Sequence, residues 1–327
     1  VYLTTVDPQL LLRALGWAVR LAVLYACVQL AFWYFDSAWL SAVNGNTQVG
    51  TQYGVSLPRN GSMREGNYLG VFSVVSVFLL AYRRDGLGVI LALLLLAYTQ
   101  STGAMGGLLI GVVLGVILRP TLRRMLISIA VAAVVLLVVL TIPAANRLMR
   151  GQLTKLGLIE NEFGPSYTYS LNHRTAQADT AFSMAVDNPV VGVGQGRYAY
   201  YFDEYLDRAS VPSNFGDNWS RPIANNVYAQ LSAETGIIAL LVFASIIIIL
   251  AVSAIRRSST LTAAVVALAT SIVAFPAWTN LFLWGLIGIV LNVTSTAEAA
   301  ASRAQLRREN RRGARLRAWS LRAIPGR

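Results

Sequence analysis

Three polar residues spaced four apart run into an apolar stretch. In "IANNVYAQLSAETGIIALL" (223–241), Asn226, Gln230 and Glu234 stack along one face of a helix. A carboxylate at the mouth of a membrane span is costly unless it faces a protein-lined or watery cavity. Glu and Asn near a helix N-terminus also complement its dipole, so this cluster reads either as a site or as an interface cap. Upstream, "PVVGVGQGRYAYYF" (189–202) sets Gly192, Gly194 and Gly196 two apart. Neither a strand nor a following helix frames them as a dinucleotide fingerprint. The turn either bends backbone amides around a phosphate or packs Tyr198, Tyr200 and Tyr201 at headgroup level, the second being the commoner use of such a sequence. Before it, Ala178, Phe182, Ala185 and Val186 fall at i, i+4, i+7 and i+8, one face of an amphipathic helix that Asn188-Pro189 ends and that His173 and Arg174 begin.

Other chemistries are excluded by scarcity. The single cysteine, Cys27, cannot form an internal bridge, and the single histidine, His173, cannot build a His-rich metal site or an ordinary zinc hydrolase. No metal and no cofactor are expected.

The elements that must hold these residues are membrane helices. Of 327 residues, 55% are hydrophobic and 13% charged, with mean hydropathy +0.55. Soluble domains carry about 25% charged residues, so too little polar surface exists here to cover a water-exposed globule. Eight apolar runs, 16–35, 66–82, 86–101, 103–119, 125–144, 236–254, 260–277 and 279–295, approach the length a bilayer core requires. Lipid-exposed spans must close their own backbone hydrogen bonds, which makes helix the assignment. The fold class is all-α and polytopic. Only Ser101-Thr102-Gly103 separates two of the runs, which reads as a tight external turn or a re-entrant hairpin.

With the N-terminus inside, 18 of the 27 basic residues fall on the cytoplasmic side, nine of them in the tail. Both termini are then cytoplasmic, at a plasma membrane. The chain divides into five spans with a short external loop at 37–65 (1–144), a large external loop (145–235), three spans (236–295) and a basic tail (296–327). A loop as long as the second is usually functional. The tail reads as a basic helix on anionic lipid rather than a nucleic-acid arm. The chain begins with Val rather than Met and no signal peptide precedes the first span, as expected of a fragment or of an alternative start codon.

The succession "NHRTAQADTAFSMAVDNPVVGVGQGRYAYYF", then "NNVYAQLSAETGIIALL", resembles the bacterial O-antigen ligase and polymerase family. That family's pattern is an arginine, a helix, a D-x-P-x-x-G-x-G turn and an H-N-x-Y-x-x-x-x-x-E-x-G stretch leading into a span. The resemblance covers about 59–255; "RNGSMREGNYLG" (59–70) and "STGAMGG" (101–107) match loosely. It implies a GT-C-like membrane glycosyltransferase that takes a glycan from an undecaprenyl-pyrophosphate carrier and joins it to a glycan or lipid acceptor. Fixed guanidinium groups can stabilise the departing pyrophosphate without a metal. Arg174 matches the family's loop arginine and is the expected clamp. Arg59, Arg64, Arg197 and Arg221 are secondary donor contacts, with His173 and Tyr228 beside them; Asn225, Asn226 and Glu234 line the acceptor side.

Two positions depart from the pattern. Asn225 stands where ligases carry the histidine, and Thr102 where they carry an arginine in an S-R-G turn. Asparagine is no base and threonine holds no pyrophosphate by charge. The departures fit a polymerase-like or divergent member, or an inactive one, and leave Glu234 or His173 as the replacement base. A transporter or flippase of an anionic lipid-linked glycan is the rival from another class. It calls for intramembrane charges and an internal repeat, whereas the spans carry almost no buried charge, with Arg20 and Asp36 flanking or entering the first, and no repeat is visible.

Overall fold

The computed structural model describes residues 6–35, 47, 49–52, 55–118, 120, 122, 125–126, 129–130, 133, 137, 140–155, 158–160, 165–209, 211, 222–274 and 278–295. Arg221, the basic tail and most of the 125–144 run lie outside them.

The chain is a helical membrane protein. Three helices are long and apolar enough to cross a bilayer: α1 (Pro8–Phe35), α2 (Gly66–Arg83) and α8 (Val227–Ile255). Shorter apolar helices stand among them: α3 (Gly86–Thr99), α4 (Thr102–Ile117), α9 (Ser259–Ser271, extended by a 3₁₀ turn to Ala274) and α10 (Leu281–Ser295). At 1.5 Å rise per residue, α3 is about 21 Å long, short of the roughly 30 Å hydrocarbon core. The polar segment between α4 and α8 folds as α5 (Pro143–Lys155), α6 (Pro165–Asp187) and α7 (Tyr198–Tyr205). A short antiparallel hairpin, β1 (Val49–Gln52) with β2 (Val55–Pro58), lies within the first polar loop.

Packing follows residue size. Glycines at 103, 107, 111 and 115 form one stripe on α4 facing α9, where a Cβ on Gly107 or Gly111 would lie 2.9 Å from the carbonyl oxygen of Ala267 or Ala263. Small residues at this spacing let two membrane helices approach backbone to backbone. α2 forms the centre: Leu69, Val74, Val75, Leu79 and Leu80 are fully buried against the neighbouring helices. Lipid takes the outside, where Ile237, Ile238, Leu241, Val242, Ile248 and Ile249 of α8 are exposed.

At one end of the bundle a carboxylate ties three helices. Asp85 caps α3 by accepting from the Gly88 N–H at 3.0 Å, while Arg20 of α1 and Arg83 of α2 donate to it at 3.1 and 3.3 Å. Arg20 therefore sits in the first span already paired. The Gly88 N–H, then Arg20 and Arg83, hold the Asp85 carboxyl below the usual carboxylate range. A depressed native pKa contributes stability above the unfolded value and loses it as pH falls through the folded one. Asn retains the capping ability, so the stability gap between wild type and Asp85→Asn isolates the charge. The gap should be present at neutral pH and close as pH falls below about 4, read from thermal unfolding in detergent.

Candidate functional site

The opposite end carries the polar machinery, where α2, α4 and α8 begin. Just before α2, Arg59 lies across the helix N-terminus so closely that a Cβ on Gly66 would sit 2.5 Å from its Nε. Its terminal nitrogen reaches Asn67 Oδ1 at 3.4 Å, and Asn67 Nδ2 donates to Glu65 Oε1 at 2.7 Å. Ser101, the cap of α4, donates to the same Asn67 Oδ1 at 3.0 Å. Arg174 comes from α6 and joins this cluster through the charge of Glu65. Burial lowers the pKa of both guanidinium groups, with Glu65 opposing the shift, and Arg174 lowers that of Arg59 further. For Glu65, burial raises the pKa while Arg174 and Arg59 pull it down.

Two permanently charged guanidinium groups thus lie within electrostatic reach of the Glu65 carboxylate, in a partly buried space beside a helix N-terminus that is itself positive. Arg59 Nε is buried with no hydrogen-bond partner among the described residues. A buried, under-satisfied cationic donor of this kind is complementary to an oxyanion.

The segment carrying Arg59 is held by its neighbour. Asn60, 1% exposed, accepts from Gln29 Nε2 at 3.3 Å and donates to the Met63 carbonyl at 2.7 Å, and the Tyr98 hydroxyl donates to Gln29 Oε1. Polar side chains of α1 and α3 thereby fix the approach to α2.

The glycine turn has a different task from cradling phosphate. Gly192, Gly194 and Gly236 all adopt positive φ. The N–H groups of Val193 and Gly194 donate to the carbonyls of Ala233 and Glu234 at 2.8 and 3.1 Å, and Ile237 N–H donates to Pro189 O at 2.7 Å. A Cβ on Gly192 would lie 2.4 Å from Ala233 O, and one on Gly236 2.3 Å from Val190 O. The turn is pressed against α8 where Gly236 breaks its helical geometry, and the amides of Gly192, Val193 and Gly194 are spent on protein. Tyr198 is buried, donating to Gln177 O at 2.8 Å, rather than sitting at a headgroup; Tyr200 is exposed.

At that break Glu234 is buried, accepting from Gln230 Nε2 at 3.2 Å and from Trp278 Nε1 at 3.0 Å. The helical spacing seen in the sequence does bring Gln230 and Glu234 together. Burial, then the charge of Glu234, raises the pKa of Tyr198. Asn226 is the cap of α8, its Oδ1 accepting from Tyr228 and Ala229 N–H at 3.0 and 3.2 Å. Asn225 adopts φ +52° and donates to Gln177 Oε1 at 2.6 Å. Tyr228 donates to Ala269 O at 2.9 Å, tying α8 to α9.

His173 and Arg174 lie inside α6, not at its start, because the helix begins two turns earlier at Pro165. The buried face of α6 is also rotated from the expected stripe. Of the expected stripe Ala185 is buried and Ala178 half-buried, whereas Phe182 and Val186 are exposed; His173, Gln177, Thr180, Ala181 and Met184 complete the buried face. Burial lowers the His173 pKa, which leaves the imidazole neutral at pH 7. Arg64 and Arg197 are exposed and Thr102 donates to Gln152 Oε1. Sequence reading missed Glu65, Asn67, Ser101, Gln152 and Trp278.

Partly buried guanidinium groups at one end of a helical bundle are complementary to an anionic group. The sequence profile of the O-antigen ligase family matches residues 87–244, a match that supports placing the chain with the O-antigen ligase and polymerase family. The matched region holds Arg174, Asn225, Asn226 and Glu234; Arg59 and Glu65 precede it. No match was found among curated proteins. That match supports a part in surface polysaccharide biosynthesis, of a glycosyl-transferring type.

Proposed function

We propose that the chain transfers or polymerises a glycan from an undecaprenyl-pyrophosphate carrier at the external face of the plasma membrane, without a metal. The observation that carries this is the buried Arg59 Nε without a partner among the described residues, in a cluster where Asn67 links Arg59 to Glu65 and Arg174 lies within electrostatic reach of that carboxylate. In the reaction an acceptor hydroxyl oxygen bonds to the anomeric carbon as the bond to the phosphate oxygen breaks. The electron pair leaves with the diphosphate, and the two guanidinium groups stabilise the charge that develops there. The hydroxyl proton needs a base within reach. Neutral His173 follows α6 next to Arg174, and the Glu234 carboxylate stands at the head of α8; either can take it. Asn225 and Asn226 shape the acceptor side by setting the start of α8, while Tyr228 anchors it. Arg64, Arg197 and Arg221 are peripheral donor contacts.

The architecture in this reading is GT-C-like with eight spans, both termini cytoplasmic, and the tail on anionic lipid. Asp85 with Arg20 and Arg83 then marks the cytoplasmic end. Deletion of the gene should cause carrier-linked glycan to accumulate and surface polysaccharide to be lost, both restored by the wild-type chain. Lipid extraction showing no accumulation would overturn the assignment.

A further inference from the structure

Gln152 of α5 is 8% exposed, and its amide has one satisfied pole. Oε1 accepts from the Thr102 hydroxyl, while Nε2 has no hydrogen-bond partner among the described residues. Exchanging the amide oxygen and nitrogen changes nothing essential: Nε2 would then donate to Thr102 and the carbonyl oxygen would be left over. One pole of a buried amide stays unpaired either way, which is costly unless something outside the chain meets it. Thr102 itself is only partly buried, so the pair opens to the surroundings.

The position matters as much as the deficit. Thr102 follows Ser101, whose hydroxyl shares Asn67 Oδ1 with Arg59, so this pair adjoins the guanidinium cluster. α5 in turn packs on α6, the helix that carries Arg174. A ligand diphosphate held by Arg59 and Arg174 would carry its first sugar next to it. Thr102 and Gln152 are neutral and offer a hydroxyl and an amide, the groups that pair with sugar hydroxyls or an acetamido group rather than with a second phosphate.

We infer that Thr102 and Gln152 form a neutral carbohydrate subsite for the sugar attached to the diphosphate. This rests on the glycosyl-transfer reading and names the part of the donor that the arginines do not hold. A net hydrogen bond of about 1 kcal/mol is about fivefold in affinity, so two reach about tenfold or more. The full chain in nanodiscs is titrated with undecaprenyl diphosphate and with undecaprenyl diphosphate bearing one N-acetylglucosamine. Wild type should prefer the sugar-bearing carrier by about tenfold. Gln152→Ala should bind both carriers as wild type binds the bare one, and Arg174→Ala should lose both. Thr102→Val, which keeps the shape and removes the hydroxyl, gives the same loss of preference should Gln152→Ala fail to accumulate.

An unchanged preference in either variant overturns the subsite and leaves the arginine clamp standing; the amide then meets only water. Equal binding of both carriers by wild type also overturns the subsite. Failure of wild type to bind either carrier overturns both the subsite and the reading beneath it.

Discussion

Cells carrying Arg174→Ala should make no surface polysaccharide while the protein reaches the membrane at its normal level. Arg174 is one of two guanidinium groups within electrostatic reach of Glu65, so its removal takes one positive charge from the site. Removing one preorganised donor to developing negative charge typically costs about 10²–10³ in rate. Arg174→Lys should recover part of the activity, because an ammonium supplies the charge but not the planar, two-pronged geometry. Immunoblots of membranes alongside polysaccharide gels check both halves. Wild-type polymer in Arg174→Ala would remove this residue from the mechanism.

The second large effect is structural and lies at Gly236. Its φ of +82° and the 2.3 Å gap between an added Cβ and Val190 O leave no room for a side chain. The obstacle is backbone, which cannot swing aside as a flexible side chain would. Left-handed geometry costs a non-glycine residue about 1–2 kcal/mol and overpacking a further 1–3 kcal/mol. Gly236→Ala should therefore accumulate poorly or melt well below wild type, and Gly192→Ala, 2.4 Å from Ala233 O, should behave alike. Fluorescence-detected size exclusion over a temperature series measures this. A Gly236→Ala protein as stable as wild type would mean the turn is not seated on α8.

The contrast between these two residues shows what the sequence makes legible. Apolar runs locate α1, α2, α8 and α10 because hydrophobicity is a local property, and Arg174 stands out by its place in a motif. Glu65, Asn67, Ser101 and Gln152 are invisible in that way. Asn67 meets Ser101 across 34 positions and Thr102 meets Gln152 across 50, and each is an ordinary polar residue until helix packing joins them. The turn glycines were noticeable, but their spacing fitted a phosphate cradle as well as a docking turn. Only the bonds from Val193 and Gly194 to α8 decide between them. The α6 stripe held at Ala178 and Ala185 but not at Phe182 and Val186 for a related reason: the buried face also uses Gln177 and Thr180, which an apolar pattern passes over.

The most direct test of the diphosphate clamp is release of free undecaprenyl diphosphate by the purified protein in nanodiscs, given carrier-linked glycan and acceptor in the presence of EDTA. Wild type should release it in step with lengthening or transfer of the glycan, and Arg59→Ala and Arg174→Ala should each release almost none. Equal release from Arg174→Ala, or movement of intact donor across the bilayer with its sugar–phosphate bond unbroken, would contradict the account.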